Sequence, residues 1–167
     1  MPEVSHLTPA TAAPDPLVQF RRWYDEAVAA GVRQPDAMTL ATATSDGDVS
    51  ARTVLLRGPA GDWVTAEGFV FYTNLESAKA RAIAQNPRAA LVFHWREVER
   101  QVRVMGSVGR VSDEQAAAYW ETRPRGHRIS AWASPQSEVV DAEMLARLVA
   151  QAEERFAGTE PPLPPFW

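Results

Sequence analysis

Four polar residues lie near a predicted junction between a strand and a helix, and their types suit the binding of an anion. Arg52 lies inside an apolar run that is typical of a buried strand, and Asn74 ends the next strand. Asn74 is predicted to cap a helix that begins at Leu75, with Ser77 and Lys79 in its first turns. Because a helix N-terminus presents unpaired backbone N–H groups, the hydroxyls and positive charges beside it predict a phosphate site.

An ordinary structural explanation also fits these residues. Arg52 could form an ion pair with a carboxylate, and Lys79 could be a solvated lysine on the surface. Helix caps such as Asn74 are common whether or not a ligand binds nearby. The spacing alone therefore leaves both explanations open.

Two further groups of residues could bind a ligand. Tyr119 and Arg123 are four residues apart on a predicted helix, so they share a face and could address one phosphate or carboxylate. Gln101 and the pair Gln136-Ser137 carry groups that both donate and accept hydrogen bonds. The alternatives are packing for Tyr119, a surface ion pair for Arg123 and simple solvation for the amides.

The composition excludes several classes of function. The chain has 167 residues, of which 46% are hydrophobic and 23% charged, and this predicts one globular domain. A net charge of −4 argues against a general nucleic-acid-binding protein. There is no cysteine, and the three histidines lack metal-ligand spacing, so no metal site is predicted. Without a membrane-length apolar run or a signal pattern, we expect a cytoplasmic protein with no membrane partner.

The pattern along the chain predicts a β-rich middle flanked by helices. Residues 1–14 are predicted to form a mobile N-terminal arm, and residues 15–167 a single domain. With their capping residues, helices are predicted over 15–31, 75–85, 112–122 and 141–158. Strands are predicted over 38–43, 49–57, 68–74, 88–95 and 98–111, with a short one over 128–133 and an extended tail over 161–165. Hairpin links between the strands predict a mainly β, α+β fold built on a small antiparallel barrel.

Six short motifs occur in one order along the chain and together resemble the pyridoxamine 5'-phosphate oxidase family. They are Ala51-Arg52-Thr53-Val54-Leu55-Leu56-Arg57, Phe71-Tyr72-Thr73-Asn74, Ser77-Ala78-Lys79, Glu99-Arg100-Gln101-Val102, Arg123-Pro124-Arg125 and Gln136-Ser137. The resemblance covers roughly residues 15–167. It implies an antiparallel FMN-binding split β-barrel that forms a homodimer with its flavin sites at the subunit interface.

The resemblance also assigns roles to individual residues. In one subunit the FMN contacts would be Arg52, Thr53, Val54, Leu55, Leu56, Arg57, Tyr72, Thr73, Ser77 and Lys79. The second subunit would contribute Gln101, Gln136 and Ser137. The substrate would be bound by Arg57, Tyr119, Arg123 and His127. No catalytic side chain is implied, because the family's protein groups bind and orient the flavin and its substrate.

The implied reaction is the oxidation of pyridoxamine or pyridoxine 5'-phosphate to pyridoxal 5'-phosphate. The flavin takes a hydride equivalent from a small phosphorylated aromatic substrate, and O2 then reoxidises it to give H2O2. Two other functions fit the same motifs. One is a related flavin oxidase of another aromatic metabolite, of the phenazine-biosynthesis type, and the other is a non-catalytic module that binds flavin or pyridoxal phosphate.

Four features depart from the family pattern. Arg57 stands where a lysine is common, Ala78 where an arginine often helps to hold the FMN phosphate, and His127 where a serine is found. The family also continues beyond its Pro-Pro-Phe-Trp motif with two strands and an Arg-x-His motif, whereas this sequence stops at Trp167. Whether 167 residues is the natural length is left open. We expect flavin binding to survive more readily than vitamin B6 oxidation, because most matched FMN contacts lie within residues 52–137.

Overall fold

The computed structural model describes residues 7–58, 64–65 and 68–167. The helices are α1 (Pro16–Ala29), α2 (Ala78–Gln85), α3 (Asp113–Thr122), α4 (Arg125–Ala133) and α5 (Ala142–Arg155). The strands are β1 (Ala37–Ala43), β2 (Val49–Leu55), β3 (Val64–Thr65), β4 (Gly68–Phe69), β5 (Arg88–Trp95) and β6 (Arg100–Ser107). Residues 1–6 of the predicted N-terminal arm lie outside the described residues.

Four of the strands form one antiparallel sheet in the order β2-β1-β5-β6, and β3 pairs with β4 separately. Gly47, with φ +90°, lies in the turn that joins β1 to β2, where a residue with a side chain would be strained. The register places Arg52 opposite Leu40, Leu40 opposite Leu91, and Leu91 opposite Val104. The mixed α/β architecture with an antiparallel sheet confirms the coarse fold prediction.

The hydrophobic core lies between α1 and one face of this sheet. The Phe20 ring meets that of Phe93 edge-on at 4.9 Å between centroids, and Tyr24 meets Trp95 in the same way at 6.0 Å. Strand residues alternate between the two faces, so Met38 and Leu40 of β1 and Leu91, Phe93 and Trp95 of β5 are buried in this core. Each large apolar side chain buried there stabilises the fold by about 1.5–3 kcal/mol.

The opposite face of the sheet, called here the outer face, carries exposed apolar side chains at both edges. Val49 on β2 is 82% exposed and Met105 on β6 is 70% exposed. Gln101 and Arg103 alternate with the partly buried valines of β6 that pack on the core, so they lie on this face as well. The outer face therefore presents large apolar side chains that the described part of the chain leaves accessible.

Three predicted helix starts are confirmed by their capping hydrogen bonds. Asp15 accepts from the backbone N of Leu17 at 2.8 Å, and Asp141 accepts from that of Met144 at 2.7 Å. Ser112 forms the predicted capping box of α3. In each case a short polar side chain satisfies backbone donors that the helix itself leaves unpaired. None of the described helices is long and apolar enough to cross a membrane.

Two predicted elements differ in the structure. Helix α2 begins at Ala78 with Ser77 as its cap, because Asn74 instead accepts from the backbone N of Glu76 at 2.6 Å and stabilises a turn before the helix. Residues 128–133 were predicted as a strand but belong to α4, which follows Pro124 and packs against α5. Besides these two, the predicted strands over 49–57, 68–74 and 98–111 are present but shorter than predicted. A 3-10 helix over Arg96–Val98 precedes β6.

Candidate functional site

Arg52 and Lys79 form the centre of a group of polar side chains called here the cationic cluster, which also includes Thr73 and Gln136. The ammonium group of Lys79 donates to Thr73 Oγ1 at 3.1 Å and to Gln136 Oε1 at 3.3 Å. Burial lowers the pKa of Lys79, and the positive charge of Arg52 lowers it further. The two positive charges therefore repel each other, and a bound anion would reduce this repulsion.

Arg52 is fixed over the end of β1 by neutral acceptors. Its Nη1 donates to the Leu40 carbonyl at 3.1 Å and to Thr42 Oγ1 at 2.9 Å, and its Nη2 donates to Ser50 Oγ. Within residues 7–58, 64–65 and 68–167, neither Arg52 nor Lys79 forms an ion pair with a carboxylate. Among the described residues Arg52 therefore lacks the carboxylate partner that the structural alternative requires, and neither positive charge is compensated by an ion pair there.

The start of α2 closes one side of the cationic cluster. The hydroxyl of Ser77, which is fully buried, accepts from the backbone N of Ala80 at 3.4 Å. The backbone N of Ala78 donates to Ser137 Oγ at 3.0 Å. Ser137 adopts φ +67°, a left-handed conformation that is unfavourable for serine and turns its segment towards α2. The hydroxyls of both serines therefore lie at the helix N-terminus.

The resemblance implies that Gln136 and Ser137 reach the flavin from the second subunit, and within one chain the two residues already lie beside α2. Both side chains contact α2 of their own chain, through Lys79 and Ala78. The physical reason is the loop between α4 and α5, which the backbone of Ser137 turns back over α2. Sequence spacing could not show this fold-back.

Gln101 does not join the cationic cluster within one chain. It lies on β6, at the opposite edge of the sheet from Arg52 on β2. Three strand spacings separate these edges, which is about 14 Å. Gln101 therefore makes no direct contact with Arg52 in one chain.

The matched residues of β2 divide between the two faces of the sheet. Arg52 and Val54 share the face of Leu40, whereas Thr53 and Leu55 lie on the outer face. Since β2 is an edge strand, half of its backbone N–H and C=O groups point away from β1. A ligand alongside β2 would therefore meet its main chain as well as alternate side chains.

Leu56 and Arg57 follow β2 and are held by backbone hydrogen bonds. Leu56 is buried, and its N–H donates to the Asp36 carbonyl at 2.8 Å. The N–H of Arg57 donates to the carbonyl of Val70 at 2.8 Å. These bonds anchor the end of β2 to Asp36 on one side and to Val70, two residues before Tyr72, on the other.

Three rings stack beside the cationic cluster and are called here the aromatic cluster: Tyr72, Tyr119 and Trp167. The Tyr72 and Tyr119 rings lie parallel with centroids 3.9 Å apart, and Trp167 is parallel to both at 5.7 and 5.8 Å. Burial raises the pKa of Tyr72, with a smaller contribution from Tyr119. Tyr72 precedes Thr73 in the chain, so the two clusters are directly connected.

Arg57 and Arg123 approach the aromatic cluster with different partners. Arg57 forms an ion pair with Asp36; although burial lowers the pKa of Arg57, Asp36 and to a smaller extent Tyr119 raise it above its usual value. The Arg123 guanidinium lies 4.7 Å from the Trp167 ring centroid, and its Nη2 donates to the carbonyl of His127 at 3.1 Å. Arg57 is therefore neutralised, whereas Arg123 has no carboxylate partner among the described residues.

Comparison with known proteins identifies the group to which these sites belong. The profile of the family described as pyridoxamine 5'-phosphate oxidase matches residues 24–156. The chain belongs to this family. A pyridoxine/pyridoxamine 5'-phosphate oxidase of Rubrobacter xylanophilus is 55% identical over 157 residues, covering 93% of this chain and 70% of that protein. One of Cupriavidus taiwanensis is 50% identical over 162 residues, covering 96% and 74%.

Membership of the pyridoxamine 5'-phosphate oxidase family confirms the resemblance and the prediction of an oxidoreductase. Among solved structures, PhzG from Burkholderia lata 383 in complex with tetrahydrophenazine-1-carboxylic acid is similar with a TM-score of 0.86. It is 30% identical, and the match covers 98% of this chain and 79% of that one. An FMN-binding protein related to pyridoxamine 5'-phosphate oxidase, from Nostoc punctiforme, has a TM-score of 0.60 at 22% identity and supports the fold alone.

Sequence reasoning missed two residues of this site, Trp167 and Asp36. Trp167 was matched only as the end of the Pro-Pro-Phe-Trp motif and given no role, yet it contacts Tyr72, Tyr119 and Arg123. Asp36 precedes β1 and pairs with a residue 21 positions later. Neither has a local signal, because each acts through contacts distant in sequence. The imidazole of His127 is exposed, and the contact that links His127 to Arg123 uses its backbone carbonyl.

Proposed function

We propose that this protein is an FMN-dependent oxidase that converts pyridoxamine or pyridoxine 5'-phosphate to pyridoxal 5'-phosphate. The proposal is carried by two sites of positive charge that have no carboxylate partner among the described residues. One is at Arg52 and Lys79 and the other at Arg123, and the stacked rings of the aromatic cluster lie between them. Such an arrangement suits two phosphorylated aromatic molecules, here FMN and the substrate, whose rings must come into contact for the reaction. The relatives in Rubrobacter and Cupriavidus carry the corresponding name.

The donor set of the cationic cluster fits the phosphate of FMN. Arg52 and Lys79 would hold it by charge, and Thr73, Ser77 and Ser137 offer hydroxyls in the same region. The free backbone edge of β2 would meet the polar edge of the flavin ring. FMN, when bound, supplies the acceptor for a hydride equivalent and the means to return it to O2 as H2O2, chemistry that side chains lack.

The substrate would bind at the aromatic cluster. Arg123 would bind its phosphate by charge, and the hydroxyl of Tyr119, four residues earlier, would donate a hydrogen bond. Arg57 and His127 would border the same site. In the overall reaction, pyridoxine 5'-phosphate and O2 give pyridoxal 5'-phosphate and H2O2, whereas the amine also consumes one water and releases ammonia. We assign binding and orientation, and no acid–base role, to these residues.

The finer architecture that we propose is a split β-barrel that forms a homodimer through the outer face. Val49 and Met105 expose apolar surface at its two edges, which a second copy would cover. Dimerisation would also bring Gln101 of one copy towards the cationic cluster of the other, which its position at the far edge of the sheet requires. Light scattering of the flavin-loaded protein is expected to give twice the mass of one chain.

A second candidate is the oxidation of a reduced phenazine carboxylate. Its support is the similarity to PhzG, whose structure is a complex with tetrahydrophenazine-1-carboxylic acid and matches 98% of this chain. A carboxylate could pair with Arg123 as a phosphate would. The identity to PhzG is 30%, against 55% to the Rubrobacter protein, so this candidate ranks second.

The test uses the visible spectrum of the FMN-loaded protein without oxygen. Bleaching of the flavin band by pyridoxamine 5'-phosphate, its return in air and the appearance of H2O2 are the expected results. Bleaching by tetrahydrophenazine-1-carboxylic acid alone would favour the second candidate. A bound flavin that neither compound reduces would refute both oxidase proposals and favour a binding module.

A further inference from the structure

Residues 161–167 form a segment that is held firmly against the rest of the protein. The indoles of Trp120 and Trp132 donate to the carbonyls of the first two prolines of the segment, at 2.9 and 2.8 Å. The backbone N of Leu75 donates to the carbonyl of Phe166 at 2.7 Å. Two prolines of the segment are among the most completely buried residues. The direction in which Trp167 leaves the segment is thereby fixed.

Trp167 contacts residues from both halves of the proposed site. Its ring is parallel to that of Tyr72, at an angle of 2°, and to that of Tyr119, at an angle of 5°. The guanidinium of Arg123 lies over the same indole at 4.7 Å, and over Trp120 at 5.7 Å. Trp167 therefore links the FMN-side residue Tyr72 with the two residues assigned to the substrate phosphate.

The way in which Arg123 is held preserves its charge. An aromatic face attracts a guanidinium without neutralising it, whereas a carboxylate, such as Asp36 beside Arg57, does neutralise it. Arg123 also donates to the backbone carbonyl of His127, and its Nε is buried without a hydrogen-bond partner in the described part of the chain. Its orientation is thus restricted while its positive charge stays available to an anion.

We propose that Trp167 is a positioning residue that orients Arg123 and Tyr119 for the phosphate of a phosphorylated aromatic ligand. The inference rests on the proposed function for the identity of that ligand. Removal of the indole takes away the nearer of the two aromatic faces that orient Arg123, so its guanidinium is less restricted and ligand affinity falls, while the cationic cluster keeps its own contacts. The affinity for FMN is accordingly unchanged.

The experiment compares Trp167→Phe, Trp167→Leu and Trp167→Ala in the 167-residue chain loaded with FMN. Calorimetry measures the binding of pyridoxal 5'-phosphate. Steady-state kinetics with pyridoxamine 5'-phosphate give KM and kcat, and flavin fluorescence gives the affinity for FMN. Leu and Ala are expected to weaken pyridoxal 5'-phosphate binding and raise KM about tenfold, with kcat and FMN affinity within about twofold of wild type. Trp167→Phe, which keeps an aromatic face, is expected to retain most of the wild-type affinity for pyridoxal 5'-phosphate. Phe166→Leu, which removes a ring of the same segment that lies against Trp132 rather than Arg123, is the control.

Each outcome decides between the alternatives. Wild-type affinity in Trp167→Leu would show that bulk, and not the aromatic face, is what matters, and would overturn the proposal. So would a parallel loss of FMN binding in all three variants, which indicates a purely structural role. If the wild type binds pyridoxal 5'-phosphate, and Trp167→Leu binds it more weakly, but neither oxidises the amine, the proposed oxidase function fails and this inference stands. A wild-type protein that does not bind pyridoxal 5'-phosphate overturns the inference itself.

Discussion

Replacement of Lys79 by methionine tests the assignment of the cationic cluster most directly. Methionine keeps much of the apolar stem of lysine and removes only the ammonium group. A hydrogen bond to a charged group contributes about 1.5–3 kcal/mol, so we expect the dissociation constant of FMN to rise by roughly 10- to 150-fold. Because the Lys79 ammonium is half-buried and lies near the charge of Arg52, its loss relieves repulsion in the flavin-free protein. The flavin-free variant is therefore expected to be as stable as the wild type, or more stable.

The pH dependence gives this prediction a second readout. The pKa of Lys79 is lowered from 10.5 in the folded protein, so folding is favoured by the neutral form. Between the lowered pKa and 10.5 the unfolded chain binds more protons than the folded one. The contribution of Lys79 to the free energy of unfolding therefore increases with pH in this window and is lost as pH falls through the folded pKa. Lys79→Met is expected to remove this increase in the flavin-free protein.

Titration of flavin fluorescence and thermal unfolding measure the two effects. Arg81→Met is the matched control, because Arg81 is exposed on the same helix and donates to the carbonyl of Glu76 rather than to the cationic cluster. An FMN affinity in Lys79→Met within about twofold of wild type would refute the site. An equal loss of FMN affinity in Arg81→Met would show that the effect comes from the change in net charge and not from the position of Lys79.

Three further predictions concern the surroundings of the site. Asp36→Asn leaves the half-buried guanidinium of its ion pair uncompensated and is expected to lower the free energy of unfolding by about 1–2 kcal/mol, measured in urea; an unchanged value would show that the pair contributes nothing. Burial, with a smaller effect from Asp36, raises the pKa of Tyr24 to about 12, so stability is expected to fall from pH 10 towards pH 12 and to fall less in Tyr24→Phe. Equal slopes in the two proteins would contradict this. The double variant Val49→Lys/Met105→Lys is expected to be monomeric in light scattering, whereas Val139→Lys, at a still more exposed position away from the sheet, stays dimeric. A dimeric double variant would exclude the outer face as the interface.

Much of the fold could be predicted because its signals are local. Asp15, Ser112 and Asp141 were found as helix caps since a cap acts within three residues of itself. Helix α4 was missed because Arg128–Ala133 was interpreted as a strand between loops. Ile129 and Ala133 are four residues apart and both are buried against α5. This spacing is typical of a helix and was the signal that could have predicted α4.

The candidate site was predicted in its composition but not in its connections. Arg52 and Lys79 were singled out from residue type and position, and the structure brings them together. The closure of that cluster by Gln136 in the same chain depends on a hydrogen bond between residues 57 positions apart. Likewise, the partners of Trp167 are set by tertiary packing that no spacing rule reaches.

The long separation of these contacts bears on the order in which the protein folds. The bonds from Lys79 to Gln136 and from Ala78 to Ser137 close loops of 57 and 59 residues, and that from Trp120 to Pro161 closes one of 41. Such contacts form late, because the loss of chain entropy on closing a long loop precedes any stabilisation from the contact. A flavin captured here would stabilise the last-formed region by mass action. Cofactor supply would then govern how much of the newly made chain escapes proteolysis.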